Sequence, residues 1–240
     1  MERQRLDKMI ASTGKWSRRE VKQLIRQGLV LVDGVPARSA EDKVDAEVAE
    51  VMVNGEQLTY RRYTWVMLNK PAGYLSATED GKGKTVLDLL PPDLQKQGLF
   101  PVGRLDKDTE GLLLLTNEGG LAHDLLSPRH HVDKVYYTRV DGRLTQEDCV
   151  AFAEGMTLGD GMVCQPAVLE ILSVGETESE AHVTLREGKF HQVKRMLANR
   201  GKPVKYLERV KMGNLPLDSS LSRGEFRFLT DEEIEALRQI

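Results

Sequence analysis

The sequence predicts an α+β protein in two parts. A small helix–helix–hairpin segment comes first, and a larger segment built on a mixed, mainly antiparallel β-sheet flanked by helices follows. Three observations predict this. Helical and strand patterns interleave irregularly, without the repeating βα unit of a doubly wound sheet. Helix starts carry capping residues, while strands appear as short apolar or β-branched runs bounded by Gly, Asn and Asp. Charge is segregated at the front: residues 1–38 carry nine Lys/Arg and four Asp/Glu, and residues 39–60 carry one Lys and six Asp/Glu. A basic front with an acidic back suits a small domain with one anion-seeking face, or equally two solvated surfaces.

The front elements follow in order. Ser17-Arg18-Arg19-Glu20 is a capping box. Val21, Leu24 and Ile25 then form one apolar stripe at helical spacing, and Gly28 is the expected stop. Leu29–Val32 is a short strand, Asp33-Gly34 a hairpin turn, and a second strand pair is expected around Val48–Val53, closed by Asn54-Gly55. Arg18, Arg19, Lys22 and Arg26 fall on or beside the polar face of the second helix. Residues 58–64 read as a linker, so the domains are expected at 1–60 and 61–240.

In the larger part, Trp65–Asn69 reads as a strand ending in the turn Lys70-Pro71-Ala72-Gly73. Leu112–Leu115 reads as a buried strand, and Lys134–Val140 as another rich in Tyr and Val. A helix over 145–155 opens at Thr145, with Val150 and Phe152 expected inward. Strands are expected at 168–174 and 180–186. His191–Arg200 has helical spacing, with Val193, Met196 and Leu197 on one face. Thr230 caps a last helix whose first turn holds Asp231, Glu232 and Glu233, where the helix dipole favours acids.

Composition narrows the classes. The 240 residues are 40% hydrophobic and 30% charged, with net charge −3. That excludes a uniformly basic nucleic-acid binder but not local basic faces. No window approaches the ~18 apolar residues of a membrane span. The charged N-terminus lacks the apolar core of a signal peptide. Cys149 and Cys164 form no CxxC, and a reducing, cytoplasmic setting is expected. No phosphate loop or dinucleotide fingerprint is present, because Gly81-Lys82-Gly83-Lys84-Thr85 has the wrong spacing. His130-His131 are adjacent and cannot share a helical face as zinc ligands, so neither a metal nor a cofactor is expected.

One loop stands out. Gly103-Arg104-Leu105-Asp106-Lys107-Asp108-Thr109-Glu110-Gly111 feeds directly into the Leu112–Leu115 run. Acids at the edge of a core call for a basic partner. Read alone, a solvated loop with Asp and Thr making turns is the favoured reading.

Two resemblances sharpen the prediction. RLDKMIASTGKWSRREVKQLIRQGLVLVDGVPA resembles the small RNA-binding domain first described in ribosomal protein S-four. It implies an RNA-facing surface of Arg5, Lys8, Ser17, Arg18, Arg19, Lys22 and Arg26. GRLDxxTxGLLLLTN at 103–117, the K-x-Y element at Lys134–Tyr136, and LREGKFHQVKRM at 185–196 resemble the RNA pseudouridine synthases. LNKPAGYLSAT, SPRHH and GEFRFLT agree, all in the family's order. The combined architecture is that of the bacterial rRNA synthases of the RsuA type. FPVGRLDKDTEGLLLLTN resembles the large-subunit relatives equally well, while KFHQVKR resembles the small-subunit enzymes, since large-subunit relatives usually carry N-R-x-x-R-R there.

The resemblance implies an enzyme that isomerises a specific uridine in small-subunit rRNA and needs no cofactor; the alternatives are a large-subunit rRNA synthase or a non-catalytic RNA-binding ribosome-assembly factor that keeps the scaffold. It assigns Asp106 as the catalytic carboxylate and Lys194 as its cationic partner, in a slot where many relatives have Arg. Tyr136 would stack on the extruded uracil, its hydroxyl taking part in proton transfer, and Leu185 would line the pocket. Arg104 would fill the vacated space or grip a phosphate, with Lys189 and His191 as further substrate contacts. Asp108 sits where the signature varies and is expected to tolerate change. Tyr137 points to the opposite face of its strand. Residues 185–211 hold nine Lys/Arg and two Asp/Glu, a second basic field. The expected partner is rRNA or an assembling ribosomal subunit, engaged by a monomer, with no membrane and no nucleotide cofactor.

Overall fold

The computed structural model describes residues 3–46 and 48–240; residues 1 and 2, and Glu47 of the acidic run, lie outside the described residues. The chain forms two compact units. One runs to Thr64 and includes Leu90–Phe100; the other comprises Trp65–Leu89 and Pro101–Ile240.

The first unit opens with β1 (Arg3–Arg5), α1 (Leu6–Ser12) and α2 (Arg18–Arg26), followed by β2 (Val30–Val32), β3 (Val35–Pro36), β4 (Lys43–Asp45), β5 (Val51–Val53) and β6 (Glu56–Gln57). The capping box is present: the Glu20 N–H donates to the Ser17 hydroxyl at 3.3 Å, and the Ser17 N–H to the Glu20 carboxylate at 2.7 Å. The helix ends in a Schellman arrangement, with Leu29 N–H on the Leu24 carbonyl and Gly28 at φ 72°. Asp33-Gly34 and Asn54-Gly55 both place two consecutive residues at positive φ, the signature of tight hairpin turns. Val21 and Ile25 from α2 meet Leu6, Met9, Ile10, Val30 and Val53 in one core. The second strand is shorter than the sequence suggests, since Val48 is exposed and β5 begins at Val51.

Two boundaries differ from the linear expectation. Leu58 and Tyr60, in the stretch read as a linker, pack against this core. Residues 90–100, with α3 (Pro92–Gln95), also group with the first unit rather than the second. Gln97 explains this: its amide donates to the Thr13 carbonyl at 3.0 Å and its oxygen accepts from the Thr64 hydroxyl at 2.9 Å. Gly14 fits there because it has no Cβ; a Cβ would lie 2.0 Å from the Asp93 carbonyl oxygen.

The second unit contains β7 (Trp65–Lys70), β8 (Phe100–Pro101, which begins at the unit boundary), β9 (Glu110–Thr116), α4 (Gly119–Leu126), β10 (Lys134–Asp141) and α5 (Gln146–Glu154). It continues with β11 (Met156–Thr157), β12 (Val163–Cys164), β13 (Val168–Val174), β14 (Glu178–Leu185), α6 (Gln192–Asn199), β15 (Val204–Met212), β16 (Leu215–Pro216), β17 (Phe226–Phe228) and α7 (Asp231–Arg238). The main path of its sheet runs β13-β14-β10-β15-β9-β7-β17. Along it only β15 and β9 pair in parallel. The sheet is therefore mixed and mainly antiparallel. β7 is buried along its whole length and β9 from Gly111 onward, as their unbroken apolar runs require. Val150 corrects one expectation: it is 47% exposed while Phe152 is fully buried. Two residues along a helix turn about 200°, so the two cannot share a face. No helix among the described residues is long and apolar enough to cross a membrane.

Candidate active site

The loop between β8 and β9 is held from several sides through its backbone. The Lys70 ammonium, fully buried at the end of β7, donates to the carbonyls of Pro71 (3.1 Å), Asp106 (3.1 Å), Lys107 (3.2 Å) and Thr109 (2.8 Å). The Ser76 hydroxyl donates to the Leu105 carbonyl at 2.9 Å and accepts the Leu105 N–H at 3.1 Å. Register Lys70↔Gly111 brings the two strand ends together. Burial is the main reason the Lys70 pKa falls to about 8. These contacts leave the Asp106 side chain to be directed by other groups.

That side chain lines a cleft together with Arg104, Tyr136, Leu185, Lys189 and His191. Lys194, from the first turn of α6, lies 2.9 Å from Asp106 Oδ2, and His191 Nε2 lies 3.5 Å from Oδ1. Lys194 also reaches Asp108 Oδ1 at 2.5 Å. Burial lowers the Lys194 pKa, but hydrogen bonds to Asp108 and Asp106 outweigh it and the net shift is upward. The Asp108 carboxyl is held below its ordinary value, chiefly by its hydrogen bond to Lys194. Tyr136 is buried on β10, and among the described residues no hydrogen bond engages its hydroxyl. Tyr137 faces the other side of the sheet, edge-on to His182 and Tyr206. An anion, a cation and a phenol thus converge beside the apolar Leu185 and Leu207.

A family model described as RNA pseudouridylate synthase matches residues 64–199, and an S4 domain model matches residues 4–48. The chain belongs to the RNA pseudouridylate synthase family. It is 45% identical over 235 residues to an "uncharacterized RNA pseudouridine synthase" of Bacillus subtilis (strain 168), covering 98% of each chain. It is 37% identical over 234 residues to the ribosomal small subunit pseudouridine synthase A of Vibrio cholerae, covering 97% of this chain and 99% of that one. A crystal structure of a pseudouridylate synthase superimposes with TM-score 0.68 at 37% identity, covering 98% of this chain and 99% of that one. The protein is an RNA pseudouridine synthase of the RsuA type, with an S4 domain preceding its catalytic domain.

Within this synthase the other expected contacts divide. Arg104 is exposed, with no ion pair among the described residues. Lys189 lines the cleft, but its ammonium is bound to Glu187 at 3.0 Å and to the Val163 carbonyl. In the S4 domain, Lys8, Arg18, Arg19, Lys22 and Arg26 are exposed and carry no ion pair among the described residues. Arg5 is instead paired with the buried Asp7 at 2.9 Å and with Glu41 at 3.0 Å. The Ser17 hydroxyl is engaged in the helix cap.

Sequence reasoning missed four contributors. In the sequence Lys70 reads only as part of a turn. Gln192 is buried at the start of α6, where its side-chain oxygen accepts the Lys189 N–H at 3.0 Å and its amide donates to Glu187 at 2.6 Å. Lys134 and Arg209 lie buried in neighbouring strands, bonded to the carbonyls of Val132 (3.1 Å) and Leu112 (2.8 Å). For Lys134 the signal is its place in the K-x-Y element, and for Arg209 a strand whose other buried positions, Leu207 and Met212, are apolar. Among the described residues no His, Cys, Asp and Glu side chains group as a metal site would require.

Proposed function

We propose that this synthase converts one specific uridine of 16S rRNA to pseudouridine, with Asp106 as the nucleophile toward a uridine flipped from its stack. The observation that carries the proposal is the Asp106–Lys194 pair at 2.9 Å in a cleft that also holds Tyr136 and Leu185. The reaction breaks an N-glycosidic bond, rotates the uracil and rejoins it through carbon, so the base must be held throughout. An ionised carboxylate can serve by attack on the ribose, attack on the base, or an elimination route. Lys194 supplies its counter-charge as a compact ammonium rather than a planar fork. The Tyr136 ring stacks on the uracil, and its free hydroxyl moves the proton released from the base carbon. Extrusion costs a few kcal/mol, and Arg104 occupies the vacated space or holds a phosphate.

The names of the small-subunit relatives and the KFHQVKR element support 16S rRNA as the substrate. The exposed cations of α2 anchor the RNA backbone. In this proposal the enzyme acts as a cytoplasmic monomer on rRNA or an assembling subunit. Pseudouridine mapping in rRNA from cells with and without the gene tests it. One 16S position should disappear with the gene. Loss of a 23S position instead would make this a large-subunit enzyme, and an unchanged map would refute the assignment.

A further inference from the structure

Phe190 is 71% exposed. A single exposed apolar side chain is ordinary, but this one is ordered by its neighbour. Its ring lies parallel to the His191 imidazole, with centroids 3.8 Å apart and planes at 18°. His191 itself takes the left-handed conformation, φ 51° and ψ 32°, uncommon for a residue with a side chain. It stands at the N-cap position of α6, with its Nε2 3.5 Å from Asp106 Oδ1. A short ladder of groups therefore runs from solvent through two stacked rings to the proposed nucleophile.

The chemistry around the outer face identifies its occupant. Lys189 and His191, on either side of Phe190 in sequence, both line the cleft, so the ring stands beside the cleft mouth. Arg104 at the same cleft is exposed and carries no ion pair among the described residues, whereas Arg186, Lys189, Lys194 and Arg195 are each held by an acid. The adjoining Arg186, Glu187, Gly188 and Lys189 offer no apolar patch of the kind a protein partner buries. A lone exposed aromatic at a cleft that also presents the exposed guanidinium of Arg104, already stacked on one face, matches single-stranded nucleic acid, whose bases stack regardless of sequence. A uridine drawn into the cleft leaves its neighbour without a stacking partner.

We infer that the outer face of Phe190, backed by His191, is the stacking platform for the nucleobase adjacent to the target uridine. The inference rests on the proposed reaction at Asp106. Phe190 touches the substrate away from the reacting atoms, so it governs affinity and KM more than the chemical step.

The test uses the full-length enzyme and an RNA fragment containing the mapped uridine, with each flanking nucleotide replaced in turn by an abasic one. Parent enzyme should lose roughly 5- to 100-fold in affinity at one abasic position. Phe190→Ala should lose a similar factor on intact RNA and nothing further on that abasic RNA, while single-turnover rate at saturation changes little. Phe190→Trp should bind intact RNA as the parent does, with tryptophan emission quenched by that RNA but not by the abasic one. Parent-like affinity in Phe190→Ala, or losses that multiply fully at every position, would overturn the platform. A parent that forms no pseudouridine in either rRNA overturns the reaction itself, a failure visible in the product and separate from any Phe190 variant.

Discussion

The two units use cations in opposite ways. In α2 of the S4 domain, Arg18, Arg19, Lys22 and Arg26 stand exposed without ion pairs among the described residues. In the catalytic unit the cations behind the cleft are engaged. Lys194 joins two carboxylates, Lys70 bonds four carbonyls, and Arg209 and Lys134 are buried in the sheet. Free surface charges attract phosphate without regard to sequence and are screened by salt, whereas buried charges are screened far less. If the exposed set binds RNA and the buried set holds geometry, as proposed, variants should separate them.

The largest effect belongs to the cleft. Asp106→Asn keeps the shape of the side chain but removes its charge and nucleophilicity. Turnover should fall by more than about 1,000-fold, with thermal unfolding and RNA affinity close to the parent's. Activity within tenfold of the parent would remove Asp106 from its role. Asp108→Asn should cost only a few-fold despite the short contact to Lys194, because its side chain is 75% exposed and water replaces such a bond.

Tyr136 comes next. Phe keeps the stacking surface, worth roughly 1–3 kcal/mol per base, and removes only the hydroxyl. Tyr136→Phe should bind RNA normally and turn over about 100-fold more slowly, while Tyr136→Ala should lose affinity as well. The hydroxyl, without a hydrogen-bond partner among the described residues, is the reason to expect the split. If both variants keep full rate and affinity, Tyr136 takes no part in the reaction.

The S4 domain supplies the counterpart. Changing Arg18, Arg19 and Lys22 together to Glu should weaken RNA binding and flatten its dependence on salt, since fewer counterions are released. Single-turnover rate at saturating RNA should barely move. Unchanged binding would show that α2 is not the anchor and would dissolve the contrast between the units.

Much of this was legible because local rules and tertiary structure agree. The capping box at Ser17 and the helix-opening threonines Thr145 and Thr230 each mark a helix start, and the two paired turn signals each form a hairpin. The Asp106 loop was legible through its bounding glycines and the apolar strand behind it, although family resemblance, not periodicity, assigned its chemistry. What escaped depends on contacts distant in sequence. Nothing local tells Lys70 that its ammonium will meet carbonyls 36 to 39 residues away. Nothing in residues 90–100 announces that Gln97 will bond Thr13. Arg209 looked like one cation in a basic run, and only the sheet shows it buried opposite Tyr136.

The smallest effect is thermodynamic and tests whether the buried cations are as dry as their geometry indicates. Burial lowers the pKa of Lys70 and of Lys134 to about 8, from an ordinary 10.5. Between these values the unfolded chain binds more protons than the folded one. The stability each lysine contributes is therefore complete above 10.5 and is lost as pH falls through about 8. Each should give the unfolding free energy a rising slope of up to about 1.4 kcal/mol per pH unit in that window. The thiols of Cys149 and Cys164, pushed above their ordinary value by burial, oppose this at the alkaline end. The informative quantity is therefore the difference between parent and variant. Lys70→Met should remove one lysine's slope and also slow turnover, because the carbonyls of Asp106 and Thr109 lose their donor. Lys134→Met should remove the other slope, and the α2 triple reversal should remove neither. Denaturant melts from pH 7.5 to 10 measure all three. A flat difference for Lys70→Met would mean that water reaches its ammonium, and that the Asp106 loop is held by something other than a closed cage of carbonyls.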